Sequence, residues 1–565
     1  MDHALSLQHF VAGRWVPGDG PVARSVDPAD PAQIVAEYRT AGPELLDEAV
    51  RAAVAAQPGW DRQGTIARGL VLRRAAELLA QRAESVAALM TREQGKTLAE
   101  SRGEVAASVE TLHYHAGRAR SADGVLYPSG NPDEVVRTVR RPLGVVGVIT
   151  PWNFPVQIPA WKLAPALLWG NSVVWKPASD TVALAVAFAE ILIEAGVPDG
   201  VLNLLLAPGS LGAELVERPE LSGVTFTGSV PVGRAIQAAV VPRGAKVQLE
   251  LGGHSAAIVL PDADPAQAAA ALVTASMSGT GQKCTAARRI IAVGDAYDRL
   301  VAELSARVKG LVVGSGTTPG VEIGPLVSAR AAEEVEGAIQ QAVDEGATVL
   351  ARADCPQGGA FVAPTLLAGT PELTISQEEV FGPVATVLRA ADLDEAIRLA
   401  NGTRFGLTAA VFTDDERAVR QCLRDLDAGI VKVNAPNTGS EVHAPFGGLK
   451  DSSFPAPREQ NGESAAEFFT WTKTAYLRTS APGNNRDPAR GHRARPGGTG
   501  RCPLHPAQLR AVVPPAGRSG TLGSVPHPVG VRRQRSRRGG VPDRCGRHSA
   551  ALHGVFHGTA GKRAH

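Results

Sequence analysis

From residue 143 onward the chain alternates short apolar runs with helical stretches, and few features constrain a fold more tightly. The runs are "LGVVGVIT" (143–150), "NSVVWKP" (171–177), "VLNLLLA" (201–207), "LSGVTFTG" (221–228), "KVQLELGG" (246–253) and "HSAAIVL" (254–260), each bounded by Gly, Pro or Asn. They are rich in β-branched residues and too short for helices, so they read as strands. Between them lie "TVALAVAFAEILIEAG" (181–196) and "PVGRAIQAAV" (231–240), which read as helices. Strands joined by helical crossovers predict an α/β fold with a doubly wound parallel sheet, whose carboxyl edge is the usual place for a nucleotide. No GxGxxG follows any of these strands. The sheet is therefore of nucleotide-binding type without its common fingerprint. A second α/β region follows over about 255–450, with helical "PAQAAAALVTAS", "RAAEEVEGAIQQAVDEG" and "DLDEAIRLAN" and strand-like "PVATVL", "TAAVFT" and "GIVKVN".

Upstream, "LVLRRAAELLAQRAESVAALM" (70–90) spaces Leu72, Ala75, Ala76, Leu79, Ala83, Val86 and Met90 as one long amphipathic helix. The "GKT" at 95–97 is not a phosphate loop, because Met90 stands where that motif needs glycine. Five cysteines (Cys284, Cys355, Cys422, Cys502, Cys545) without a CxxC pair predict free thiols in a reducing, cytoplasmic setting and no zinc site. The histidines form no HExxH, and no metal site is expected. No apolar run is long enough for a membrane span, and the first fifteen residues lack the pattern of a secretory signal. Charge divides the chain in two. Fifteen Arg and one Lys face two Asp over 480–565, so with +2 for the whole chain the body before it carries −12. Residues 479–565 have no sustained period and are crowded with Arg, Gly, Pro and His, which predicts a disordered basic tail. The composition favours an out-of-frame extension over a functional tail. "RRQRSRR" (532–538) is the one route by which nucleic acid would be held.

Taken locally, Cys284 in "SGTGQKCTAARR" reads more readily as a small buried residue than as a nucleophile. Further motifs decide otherwise. "TPWNFPVQIPAWKLAPALLWGNSVVWKPASD" (150–180), "FTGSVPVG" (226–233), "LELGGHSAAIVL" (249–260), "SGTGQKC" (278–284), "EEVFGPV" (378–384) and "PFGGLKDSS" (445–453) together resemble the aldehyde dehydrogenase superfamily over about 10–478. The resemblance implies Cys284 as nucleophile, forming a thiohemiacetal and then a thioester. It implies Asn153 and the backbone N–H of Cys284 as oxyanion donors, and Glu250 as the base that activates water. Relatives that pass the acyl group to coenzyme A generally lack this glutamate, so an acid-forming outcome is implied.

The same resemblance implies NAD or NADP as cofactor. Lys176 matches the adenosine-ribose contact, Gly228 and Ser229 the pyrophosphate site, Glu379 the nicotinamide ribose, and Phe381 with Trp152 the packing around it. Ser179, where NAD-specific members often carry Glu, leaves NADP tolerated. The implied architecture places the cofactor on 1–121 and 142–250, catalysis on 251–454, and oligomerisation on 122–141 with 455–478, as a homodimer or homotetramer.

For the substrate, the tunnel positions are Phe154, Trp161, Lys283, Thr285 and Phe446. Trp161 and Ser278 stand where succinic semialdehyde dehydrogenases carry arginines. "TGQKCTAARR", "KVNAPNTGSEVHAPFGGLKDSS" and "PREQNGESAAEFFTWTKTAYL" instead resemble the α-ketoglutaric semialdehyde (2,5-dioxopentanoate) dehydrogenase branch, with Asn461 inserted and "SSFPAP" replacing a glycine-rich turn. A keto-acid semialdehyde needs a cation for its carboxylate, and Arg288, Arg289 and Arg458, with His443 behind them, are the candidates. The alternatives are a broad-range or other semialdehyde dehydrogenase and, in a different class, a catalytically silent structural member of the fold. The latter predicts loss of Cys284, Glu250 or Asn153, and all three are present.

Overall fold

A computed structural model describes residues 4–121, 124–456 and 460–478. Its first large sheet is built on β1 (Val145–Ile149), β2 (Ser172–Lys176), β3 (Leu202–Leu204), β4 (Leu221–Thr227) and β5 (Lys246–Glu250). The strands lie in the order β5-β4-β1-β2-β3 and pair in parallel throughout. Short antiparallel strands extend both sides: His9–Val11 and Arg14–Val16 beyond β3, and Ser453–Phe454 beyond β5. The chain starts at the centre with β1, runs out through β2 and β3, then crosses back to β4. The point where the order reverses lies between β1 and β4, which opens a crevice at their carboxyl ends.

A second sheet carries β6 (Ser255–Val259), β7 (Ala287–Val293), β8 (Thr365–Ala368), β9 (Val384–Ala390), β10 (Thr408–Phe412) and β11 (Ile430–Val433), ordered β8-β9-β7-β6-β10-β11 and parallel. Thr348–Arg352 closes its β8 side antiparallel. Strands β2, β6, β7 and β10 are buried at every position. That is why, apart from Arg288 and Arg289 in β7 and Lys176 at the end of β2, they do not alternate apolar with polar positions: helices cover both faces of a parallel sheet. Only Leu251–His254 separate β5 from β6, so the carboxyl edge of the first sheet passes straight into the amino edge of the second.

The strands and helices expected from the sequence form where expected, with one exception. The stretch 70–90 is two helices, Gly64–Gln81 and Ala83–Gln94, broken at Arg82 with φ −99° and ψ 11°. Leu72, Ala75, Ala76, Leu79, Val86 and Met90 are all still buried. A 3.6-residue period survives a one-residue break, so the pattern could not reveal it. A third sheet joins Leu126–Tyr127, Glu134–Pro142 and Thr470–Arg478, the last two in nine-residue antiparallel register. One edge of Thr470–Arg478 pairs with no strand among the described residues, and its Trp471, Tyr476 and Leu477 are exposed. No described helix is long and apolar enough to cross a membrane.

Candidate active site

Strand ends deliver most of the candidate residues. Trp152 and Asn153 follow β1, Lys176 closes β2, Gly228 and Ser229 follow β4, and Glu250 closes β5. From the second sheet, Cys284 lies three residues before β7, and Glu379 and Phe381 lie just before β9.

The Cys284 loop is shaped by its small residues. Gly279, Thr280 and Gly281 all adopt left-handed backbone (φ 63°, 57° and 67°), a run that demands glycine at most of its positions. Thr280 is held there by a hydrogen bond from its hydroxyl to Gly324 O at 3.0 Å. Half-buried Cys284 packs with Phe154 and Ile430 against Ile158, Trp161, Leu407 and Phe446. Trp161 and Phe446 meet with ring centroids 5.0 Å apart. Apolar and aromatic side chains therefore surround the thiol. Burial, with the Glu250 and Glu379 carboxylates behind it, pushes the Cys284 thiol well above its ordinary range. The backbone N–H groups of Cys284 and Thr285, aimed at the sulfur, pull the other way.

Asn153 is buried and its Nδ2 donates to Gln282 O at 3.0 Å, tying the end of β1 to the Cys284 loop. Its backbone carbonyl accepts from Lys96 Nζ at 2.8 Å, and Lys96 pairs with buried Glu104 at 2.5 Å. Glu104 also accepts the backbone N–H groups of Val156 and Gln157, at the start of the helix Gln157–Leu168.

Glu250 is 1 % exposed. Its Oε2 accepts from Ser453 Oγ at 2.5 Å. Burial pushes its carboxyl up to about 8, against the opposing pull of the Ser453 hydroxyl, the Lys162 ammonium and the Gln460 amide. Lys162 is fully buried, donates to Thr225 Oγ1 (2.8 Å) and Gln460 Oε1 (2.9 Å), and is pushed down to about 7 by burial. Sequence reasoning missed Lys162, Ser453 and Gln460. The signal for Lys162 was present: a lone charge in the wholly apolar helical stretch "QIPAWKLAPALL".

The glycines after Glu250 have a steric reason. A Cβ at 252 would stand 2.0 Å from Glu379 Oε2, and one at 253 would stand 2.2 Å from Cys284 O. The Gly253 N–H donates to Glu379 Oε1 at 3.1 Å. Burial pushes Glu379 up to about 7, with Arg288 opposing. Trp152 packs edge-on against Phe381 at 5.6 Å. Those groups form one wall of the crevice. On another, Lys176 is buried with its stem 3.1 Å from where a Cβ on Gly212 would be, and burial pushes it down to about 8. Exposed Ser179 accompanies Tyr38, whose hydroxyl it hydrogen-bonds. Ser229 heads the eleven-residue helix Val230–Val240, and its side chain makes no capping bond. A helix N-terminus with an uncommitted hydroxyl beside Gly228 suits a phosphate. The residues present thus fit a dinucleotide along the crevice.

Two sequence expectations are corrected. The Arg288 guanidinium donates to the carbonyls of Gly382 (2.6 Å) and Gly281. That of Arg289 donates to Leu399 (2.6 Å), Ala400 (2.9 Å) and His254 (3.0 Å). Both are buried, and the terminal nitrogens of each serve backbone carbonyls, although Arg288 Nε has no hydrogen-bond partner among the described residues; the guanidinium ends are therefore held by the scaffold rather than free for a substrate carboxylate. Buried loops in this fold leave carbonyls that only a long multidentate donor can satisfy. His443 is exposed beside Glu441. Arg458 and the basic tail lie outside the described residues.

A model of the Aldehyde dehydrogenase family matches residues 15–475. The chain belongs to that family. It is 41% identical over 478 residues to the alpha-ketoglutaric semialdehyde dehydrogenase of Bacillus subtilis (strain 168), covering 83% of this chain and 98% of the relative. It is 40% identical over 471 residues to the 2,5-dioxopentanoate dehydrogenase of Saccharolobus solfataricus, covering 82% and 98%. Among solved structures, betaine aldehyde dehydrogenase from Staphylococcus aureus in complex with NAD+ superposes with TM-score 0.81 at 31% identity, covering 85% of this chain and 96% of that one.

Proposed function

We propose that this aldehyde dehydrogenase oxidises 2,5-dioxopentanoate to 2-oxoglutarate, using NAD or NADP, through a covalent adduct on Cys284. The observation that carries the chemistry is that the Glu250 carboxylate acts electrostatically on the Cys284 thiol while Asn153 Nδ2 donates to the carbonyl of Gln282, two residues before it, beside an aromatic cluster. The two relatives named for this aldehyde support the substrate.

Attack begins when the Cys284 thiol gives up its proton to solvent; burial, with the Glu250 and Glu379 carboxylates adding to it, holds that thiol well above its ordinary range. Loss of the thiol proton lets Sγ bond to the aldehyde carbon, forming a thiohemiacetal whose oxygen carries the charge. The Cys284 N–H and the second Nδ2–H of Asn153 are the donors for that oxygen; such a donor typically contributes about 3 kcal/mol to the transition state. The cofactor, when bound, supplies a nicotinamide ring that accepts hydride. Lys176, Ser229 and Glu379 would hold it, with Trp152 and Phe381 packed around its ring. The resulting thioester is opened by water, from which the ionised form of Glu250, the minor form below about pH 8, takes a proton, releasing acid and free thiol.

In this reading residues 1–121 and 142–250 serve the cofactor and 251–454 the chemistry. The sheet made from 122–141 and 455–478 is where copies would pair as a homodimer or homotetramer. Initial rates with 2,5-dioxopentanoate, succinic semialdehyde and propanal test the substrate. A kcat/KM at least ~100-fold higher for the first, about 2.7 kcal/mol of discrimination, is expected. Comparable rates on all three would remove the keto-acid assignment.

A further inference from the structure

If the substrate is a 2-oxo acid semialdehyde, as proposed above, the pocket must recognise a carboxylate and an adjacent ketone lying four carbon–carbon bonds, about 5 Å, from the aldehyde carbon. The walls nearest Cys284 are apolar: Phe154, Ile158, Trp161, Leu407, Ile430 and Phe446. A carboxylate left among them without donors would be strongly disfavoured. The arginines that the sequence suggested are committed to backbone carbonyls.

Of two donors near the nucleophile, the first lacks a charged partner and the second any hydrogen-bond partner among the described residues. Lys283 immediately precedes the nucleophile and is half-buried. Its Nζ donates to Ser278 Oγ at 2.7 Å, and no ion pair among the described residues includes it. The carboxylates near it are occupied. Glu104 holds Lys96 and two backbone N–H groups. Glu100 accepts from the backbone and hydroxyl of Thr97 and from the Gly279 N–H. Lys96, the neighbouring cation, lies 4.5 Å over the Phe154 ring and adds positive potential on that side. The second donor is Trp161. This side chain is 9 % exposed, and its indole N–H is buried with no hydrogen-bond partner among the described residues. Buried donors are nearly always paired, so an orphan in the wall of a reaction pocket points to a ligand that completes it.

We propose that the Lys283 ammonium binds the substrate's carboxylate and that the Trp161 indole N–H donates to its 2-oxo oxygen. Lysine acts here as a compact charge on a flexible stem, able to leave Ser278 for a stronger anionic partner. Pocket length and donor placement then select a five-carbon 2-oxo acid semialdehyde over an unfunctionalised aldehyde of equal length.

The test is the ratio of kcat/KM for 2,5-dioxopentanoate to that for pentanal, measured in the full-length enzyme and in Lys283→Met, Lys283→Arg and Trp161→Phe. Lys283→Met should lower the ratio ~100-fold, chiefly through KM for the keto acid. Lys283→Arg should recover most of it. Trp161→Phe keeps the ring, removes the N–H and should lower the ratio ~10-fold. Where Lys283→Met fails to fold, Lys283→Gln takes its place. A wild-type ratio near one would sink the substrate reading itself. A high wild-type ratio that survives both the Lys283 and Trp161 substitutions would leave that reading standing and overturn this inference alone.

Discussion

Glu250→Gln should make this protein more stable and much slower, and the size of the first effect follows from burial. The carboxyl is pushed from 4.5 to about 8 in the folded chain. A group whose folded value is raised contributes stability that is fully present below its unfolded value and lost as pH climbs to the folded one. Between pH 4.5 and 8 the folded protein therefore binds a proton that the unfolded chain has released. At pH 7 the loss is about 2.5 pH units at about 1.4 kcal/mol each, or roughly 3 kcal/mol. Glutamine has the same shape and does not titrate, so it escapes that cost. The variant should match the wild type near pH 4.5, gain on it steadily to pH 8, and hold a constant lead above. With unfolding entropy of about 1 kcal/mol/K for a body this size, the lead at pH 7 is roughly 3 °C in Tm. Differential scanning calorimetry across pH 5–9, at fixed protein concentration, reads it directly. Kinetically, loss of a general base should cost ~10²–10⁴-fold in kcat. Cys284 would be acylated in the first turnover and then stall, so a stopped-flow trace should still show a burst of reduced cofactor near one per site. A Tm difference that is the same at pH 5 and pH 8 would refute the titration argument. Unchanged kcat would refute the role of Glu250.

Arg289→Met should destabilise the fold by roughly 3 kcal/mol or more, because three backbone carbonyls lose their donor inside the protein. KM for the keto acid in whatever folds should stay within about two-fold, as read by denaturant melts and initial rates; a large rise in KM alone would restore Arg289 to the substrate site. Gly252→Ala places a Cβ against the Glu379 carboxylate, the end of a movable side chain. It should cost ~10-fold in kcat/KM for the dinucleotide with little change in Tm, and normal cofactor kinetics would show that Glu379 does not need its present position. Lys176→Met should raise KM for NAD+ or NADP+ by ~10-fold or more at nearly constant kcat, the pattern of a binding group that does not contribute to the chemical step. Cys284→Ala should abolish oxidation while still binding cofactor, as followed by fluorescence titration.

How far the site could be read from sequence depends on the kind of residue. Cys284, Glu250, Asn153, Lys176, Glu379 and Phe381 sit in short motifs next to strand ends, where a glycine or proline marks the turn. The Gly252–Gly253 pair belongs to the same class, although its reason became visible only when the Glu379 carboxylate and the Cys284 carbonyl were seen filling the space a Cβ would need. Arg288 and Arg289 show the opposite case. Their position after the nucleophile suggested a substrate contact, but a guanidinium goes where unsatisfied oxygen is, and here that oxygen belongs to Gly281, Gly382, His254, Leu399 and Ala400. Those partners lie up to 111 residues away along the chain, beyond the reach of any local pattern.

The alternation of buried strands with helices determined the parallel sheets, because periodicity and turn residues act over a few positions and survive in any arrangement of the rest. The motif order determined the family. Only the tertiary structure decided what surrounds Glu250. Lys162, Ser453 and Gln460 converge on it from one helix and two C-terminal segments, and its carboxyl stays protonated near neutrality because burial outweighs their pull. Desolvation is a property of the whole packed body, which no stretch of sequence carries by itself.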